Sequence, residues 1–307
     1  MEITKAEIAA AATRIAPYVR YTPVVKLERG ALGIAGKIIL KLEMLQPTGT
    51  FKVRGAFNLL LANRPDLVVA ASGGNFALAI AHAANVLGIP AHLFVPDSSP
   101  PEKLRRLEES GAGLTVVGGY YRDALRLSGE FVAASGGLLA HAYDQAEVVA
   151  GAGTCGGEIL QQVAEVDAIL VPVGGGGLIG GVASGVRTGA RIIGVETEGT
   201  PTLHSARVAG EPVDVEVGGL AVSSLGAGRL GDIPWEAARK WVADSLLVTD
   251  SEVANAQRFL WDRCRLIVEP GAATPVAALL SGAYEPAADE TVVALISGAN
   301  VDPATIV

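Results

Sequence analysis

The stretch Gln46-Pro47-Thr48-Gly49-Thr50-Phe51-Lys52-Val53-Arg54-Gly55-Ala56 carries the first side chain with chemistry to offer. Pro47 and Gly49 mark a loop, and Thr50 is placed to cap a helix begun by the residues that follow. Lys52 then stands in the first helical turn, where the positive end of the macrodipole disfavours a second positive charge. Flanked by Phe51 and Val53, its amine should give up a proton more readily than a surface lysine. A neutral amine is what Schiff-base formation with a carbonyl requires. The plain alternative is a solvated lysine at a helix start, and this stretch by itself does not choose between them.

Three further stretches bear on that choice. Val173-Gly174-Gly175-Gly176-Gly177-Leu178 joins an apolar run to a helical pattern. Consecutive glycines let backbone N–H groups approach an anion, and a helix N-terminus adds positive potential, so this is a phosphate cradle or else a tight packing turn. Gly175, Gly177 and Gly180 also satisfy G-x-G-x-x-G, with Glu196 ending a strand about twenty residues on, which is the dinucleotide fingerprint. A nicotinamide-dependent dehydrogenase is therefore a second reading, but it leaves Lys52 without work. Ser72-Gly73-Gly74-Asn75-Phe76 offers a hydroxyl, backbone amides and a carboxamide, a set suited to a carboxylate. Asn75 serves there either as a ligand contact or only as a helix cap. Ser297, in Ser297-Gly298-Ala299-Asn300, either meets a heterocyclic nitrogen or closes a turn.

Elements must bring these stretches together. Helices are expected over 5–15, 75–87, 121–134 and 146–163, with another opened by Pro101. Strands are expected over 37–43, 68–72, 91–95, 114–117, 138–142, 168–173, 190–196, 246–248 and 292–296. The strands are continuous apolar runs rather than alternating ones, which indicates buried parallel sheet in an α/β architecture. The Gly- and Ser-rich piece 218–232 reads as a loop near a mouth or a subunit contact. With no low-complexity linker, two α/β lobes sharing a cleft fit the pattern.

Composition narrows the classes. Of 307 residues 50% are apolar and 18% charged, enough for a sizeable core. A net charge of −8 without a basic run argues against nucleic acid or an anionic membrane as partner. Cys155 and Cys264 are isolated thiols, and His82, His92, His141 and His204 show no ligand spacing, so no metal site is expected. Lacking a signal-peptide pattern or a membrane-length apolar run, the chain reads as a cytoplasmic protein. A homodimer is expected, because small enzymes often form isologous pairs.

Taken in order, Thr-Phe-Lys-Val-Arg-Gly-Ala, Ser-Gly-Gly-Asn, the tetraglycine and Ser-Gly-Ala-Asn resemble the motifs of the serine/threonine dehydratases. These are pyridoxal-phosphate enzymes of the tryptophan-synthase-β-like fold, and the resemblance runs from Tyr21-Thr22-Pro23 to Asn300. It implies a two-lobed fold, each lobe a mostly parallel sheet flanked by helices. The large cofactor-binding domain would be residues 1–66 and 144–307, and the small mobile domain residues 67–143. It further implies that Lys52 holds pyridoxal 5'-phosphate as a Schiff base and moves the substrate's α-proton. Phe51 would lie against the cofactor ring, Asn75 would meet its phenolic oxygen, Gly174, Gly175, Gly176 and Gly177 its phosphate, and Ser297 its pyridine nitrogen. Ser72, Gly73 and Gly74 would hold the carboxylate of an amino-acid substrate. The implied reaction is β-elimination from a hydroxy amino acid of the L-threonine or L-serine type, giving a 2-oxo acid and ammonia.

Departures shape these expectations. Phe76 stands where many relatives carry histidine, which reshapes the substrate side. Gly73 stands where racemising relatives carry a serine, so racemisation is less expected than elimination. Thr202 replaces an aspartate that some relatives use for a metal. The chain, ending soon after Asn300, is expected to lack the regulatory domain of biosynthetic threonine deaminases. Arg54 either orders the cofactor loop through salt bridges or only packs between lobes.

Overall fold

In a computed structural model that describes residues 1–99, 101–119 and 121–306, strands and helices alternate along the chain. The helix α1 (Lys5–Ile15) opens with a capping box, in which Thr4 accepts from the Glu7 amide while the Glu7 carboxylate accepts from the Thr4 amide. There follow β1 (Val24–Lys26), β2 (Lys37–Leu42), α2 (Lys52–Asn63), β3 (Val68–Ala71), α3 (Asn75–Leu87), β4 (Ala91–Pro96) and α4 (Pro101–Glu108). Next are β5 (Gly113–Val117), α5 (Tyr121–Ser135), β6 (Leu138–Ala140), α6 (Ala146–Gln162), β7 (Ala168–Pro172), α7 (Gly177–Val186), β8 (Arg191–Thr197) and α8 (Thr202–Ala209). The remainder is α9 (Val222–Leu225), α10 (Asp232–Trp241), β9 (Val242–Val248), α11 (Asp250–Cys264), α12 (Pro270–Ser281) and β10 (Thr291–Ile296).

Two sheets result. The larger has the order β1-β2-β10-β7-β8-β9, parallel except for β1, which runs antiparallel to β2. The smaller has the order β5-β4-β3-β6 and is parallel throughout. Parallel strands need both faces covered, and the side chains divide accordingly. Val292, Ala294 and Ile296 of β10 pack with Val253 and Leu260 of α11 and Val276 of α12. Val293 and Leu295 pack on the other face with Ile159 of α6 and Ile179 and Val182 of α7. In the smaller sheet Val68 and Ala70 meet Phe57 of α2 and Ile80 of α3, while Val69 and Ala71 meet Phe94 and Phe131. Each such Val, Ile or Phe contributes about 1.5–3 kcal/mol by leaving water.

Most expected elements lie within a residue or two of their positions. Thr50 is not the cap of α2: Phe51 holds that position, and Thr50 instead forms an antiparallel bridge with Gly298. The strand expected over 246–248 is longer, starting at Val242, because it pairs with β8 along its length. Residues 218–232 are not wholly irregular, since the short α9 lies inside them.

Candidate active site

Ser72, Gly174 and Ser297 each follow the carboxyl end of a parallel strand, β3, β7 and β10 respectively, the edge at which open α/β sheets take their ligands. The backbone then draws the first and last motifs together. Phe51 N donates to Ser297 O at 3.1 Å, and Ala299 N donates to Gly49 O at 2.9 Å. The loop before Lys52 is thus laced to the loop after β10.

Lys52 is the first residue of α2, and its Nζ donates to Ala142 O at 2.8 Å. The amine lies 5.1 Å from the Phe51 ring centroid and 5.8 Å from that of Phe76. Burial lowers the Lys52 pKa from 10.5 to about 8, against the opposing pull of the nearby Glu269 carboxylate. A sizeable fraction of neutral amine near physiological pH is the consequence.

The glycines 174–177 run through a tight space, and at Gly175 and Gly176 it leaves no room for a Cβ. Gly176 has φ +89°, in the left-handed region, and a Cβ on Gly175 would run into the Tyr143 ring. Gly177 begins α7, whose first-turn N–H groups lack partners within the helix. A cavity of about 50 Å³ brings these glycines together with Phe51, Lys52, Asn75, Tyr143, Glu269 and Ser297. Beside it, a cavity of about 510 Å³ is lined by Lys52, residues 72–76, Ser98, Ser99 and the loop 222–228. Every residue singled out for cofactor or substrate is therefore gathered around one amine.

Asn75 is not a helix cap. Gly74 is the N-cap of α3, and the Asn75 carboxamide turns to Glu269 and Asn300. Arg54 is engaged in ion pairs: Nε meets Glu43 at 2.6 Å and Nη1 meets Glu158 at 2.7 Å, with Lys41 on the same Glu158 at 2.7 Å. Arg54 lies two residues past Lys52, so these pairs fasten the start of α2 to the end of β2 and to α6. Glu196 accepts from Leu203 N at 2.7 Å, His204 N at 2.8 Å and Ser245 Oγ at 2.9 Å, so it holds the N-terminus of α8. Burial raises its pKa to about 7 against those donors. A carboxylate so engaged is not available to a ribose, which removes the second half of the dinucleotide fingerprint. Thr202 bonds the same Glu196 at 3.1 Å, and among the described residues no group of three or more potential metal-ligating His, Cys, Asp or Glu forms.

The sequence reading missed Tyr143, Glu269, Asn300 and Ser99 as site residues. Two of them had a visible signal: Asn300 closes the Ser-Gly-Ala-Asn motif, and Glu269 is a lone acid between an apolar run and Pro270-Gly271. The Tyr143 ring packs edge-on against the His141 ring at 4.7 Å between centroids, and His141 Nδ1 accepts from Asp144 N at 2.9 Å. These contacts have no signature in residue spacing.

Comparison with known proteins agrees with this arrangement. Residues 15–298 match the family described as pyridoxal-phosphate dependent enzyme. An L-threonine ammonia-lyase of Geobacter sulfurreducens is 35% identical over 300 residues, covering 95% of this chain and 74% of that protein. The structure of maize serine racemase superposes with a TM-score of 0.93 at 31% identity, covering 99% of this chain and 95% of that one. The serine racemase of Dictyostelium discoideum superposes with a TM-score of 0.90 at 29% identity, covering 98% and 99%. The chain belongs to the pyridoxal-phosphate dependent enzymes. The fold is that of the tryptophan-synthase-β-like members, and the nicotinamide reading falls.

The residues present fit that cofactor on structural grounds. A buried amine with a lowered pKa, a glycine turn at a helix N-terminus with no room for a Cβ at Gly175 or Gly176, and a phenyl ring beside the amine meet in one cavity.

Proposed function

We propose that this chain is a dehydratase that eliminates water from L-threonine or L-serine, yielding a 2-oxo acid and ammonia. The observation that carries the reading is the Lys52 amine, which borders both the glycine cradle and the 72–75 loop. Bound there, pyridoxal 5'-phosphate supplies the electron sink that makes the α-proton of an amino acid acidic. Lys52 holds the cofactor, and as a free amine takes the α-proton and keeps it within reach of the departing hydroxyl, which leaves as water. Gly174, Gly175, Gly176 and Gly177 seat the phosphate, Phe51 flanks the ring, and Asn75 and Ser297 meet its polar atoms. Ser72, Gly73 and Gly74 take the substrate carboxylate through hydroxyl and backbone N–H groups. The released enamine then hydrolyses in water.

The substrate class follows from the lining of the larger cavity. Apart from Lys52 it presents no acidic or basic side chain among the described residues, but it carries Ser98, Ser99, Ser223 and Ser224. A small neutral hydroxy side chain suits that surface. Elimination is favoured over racemisation in this reading, since Gly73 brings no hydroxyl of its own to the opposite face of the substrate. In this reading residues 67–143 form a small domain that closes on residues 1–66 and 144–307, and the enzyme acts as a cytoplasmic homodimer.

The test is a spectrum of the purified protein with added pyridoxal phosphate, before and after borohydride, followed by mass spectrometry. A visible band that borohydride bleaches, with the reduced adduct on Lys52, and 2-oxo acid release from L-threonine or L-serine are expected. A protein that stays colourless and unmodified sinks the reading. A coloured protein that racemises without releasing 2-oxo acid sinks its lyase half.

A further inference from the structure

Glu269 is a carboxylate to which the reaction above gives no work, although it is buried beside Lys52 in the small cavity. It occupies the N-cap position of α12, yet its side chain makes no capping bond to that helix. Both its oxygens instead accept from Asn75 Nδ2, at 2.9 and 2.8 Å. Two oxygens of one carboxylate lie too close together for the diverging hydrogens of a primary amide to reach one each. A single N–H of Asn75 is therefore shared between them. On the other side, Asn75 Oδ1 accepts from Asn300 Nδ2 at 2.8 Å, and the same nitrogen donates to Thr48 O at 2.9 Å. Asn300 Oδ1 in turn accepts from Arg106 Nη1 at 2.8 Å.

This row of bonds has a fixed direction. A guanidinium can only donate and an ionised carboxylate can only accept. Held between Arg106 and Glu269, neither carboxamide can turn over without setting donor against donor and acceptor against acceptor. One N–H of Asn75 remains, with no further partner among the described residues, on a side chain that lines both cavities.

We propose that Glu269 and Asn300 are positioning residues that lock the Asn75 carboxamide with its remaining N–H toward the cavity, so that the atom seated opposite must be an acceptor such as a ring oxyanion. The proposal rests on the cofactor reading of this site. It adds that the orientation is set across the cleft. Asn75 and Arg106 come from helices around the smaller sheet, while Glu269 and Asn300 flank α12 and β10 of the larger.

Two readouts test it. In cofactor-free protein labelled at asparagine side chains, the Asn75 amide resonances report its orientation directly. Asn300→Asp sets an acceptor against Asn75 Oδ1 while still pairing with Arg106, and should move those resonances. Glu269→Gln keeps an acceptor oxygen and should leave them near their parental positions. On titration with pyridoxal phosphate, Asn300→Asp and Glu269→Ala should bind about tenfold more weakly and with a displaced visible band, the scale of one lost hydrogen bond. Glu269→Gln should bind nearly as the parent does. Unmoved resonances in Asn300→Asp, with equal dissociation constants across the variants, would overturn the proposal. Moved resonances in a protein that takes up no cofactor would uphold the positioning and sink the functional reading instead.

Discussion

A Cβ placed on Gly73 would fall inside the hydroxyl of Ser99, so the glycine of one loop and the serine of the next share a single space. Gly73 follows β3 and Ser99 follows β4, and both line the larger cavity. Gly73→Ala should therefore push Ser99 away and lower kcat/KM by at least about tenfold, with most of the loss in KM. Adding Ser99→Gly should recover much of it. Steady-state kinetics of the two single variants and the double variant would check this, and independent effects would refute the shared-space account.

The buried amine of Lys52 predicts a pH dependence of stability. Its folded pKa of about 8 lies below the ordinary 10.5, so between those values the unfolded chain holds the extra proton. Stability of the cofactor-free protein should accordingly rise with pH across that window, and Lys52→Met should abolish the rise. The ceiling is about 3 kcal/mol, reduced by the solvent that still reaches the side chain. Denaturant titrations of both proteins from pH 7 to 10.5 would measure it. A constant difference between them would defeat the assignment.

Arg54 and Glu43 are both buried, and Arg54→Met would leave the carboxylate without its main partner. A loss of about 3–5 kcal/mol is expected, partly restored by Glu43→Gln in the same background. Burial raises the Glu43 pKa, but Arg54 and Lys41 outweigh it and the net shift is downward from 4.5. The parent should thus lose this contribution as pH falls below 4.5, and the double variant should not. Acid unfolding curves compare the two.

Gly175→Ala drives a methyl into the Tyr143 ring. Overpacking of this kind costs about 1–3 kcal/mol. Because Tyr143 and Gly175 line the small cavity together, pyridoxal phosphate affinity should fall with it. Thermal unfolding and cofactor titration should move in step; a change in one alone would separate packing from binding.

Much of this site was legible before any coordinates. The strands ending at Ala71, Pro172 and Ile296 are continuous apolar runs, and the polar or glycine residues just beyond them announce where the chain reaches the ligand edge. Their convergence on Lys52 was legible only through motif order. Thr50 was misread because local capping rules do not register a partner nearly the whole chain away, in this case Gly298. Glu269 was missed for the same reason: what distinguishes it is Asn75, which no spacing connects to it. Ser99 looked like any loop serine until Gly73 lay against it.

The place of β10 bears on how the protein is made. Thr291–Ile296 lies between β2 and β7, so the centre of the larger sheet is the last of its strands to leave the ribosome. The smaller sheet, by contrast, has all its strands once Ala140 has been made. During synthesis β2 and β7 must wait with open edges for a partner, a state in which a nascent chain depends on chaperones and is exposed to aggregation. The loop carrying Ser297 arrives with that same strand. The catalytic pocket and the completed sheet therefore come into being in one event, and an unfinished chain should hold no cofactor.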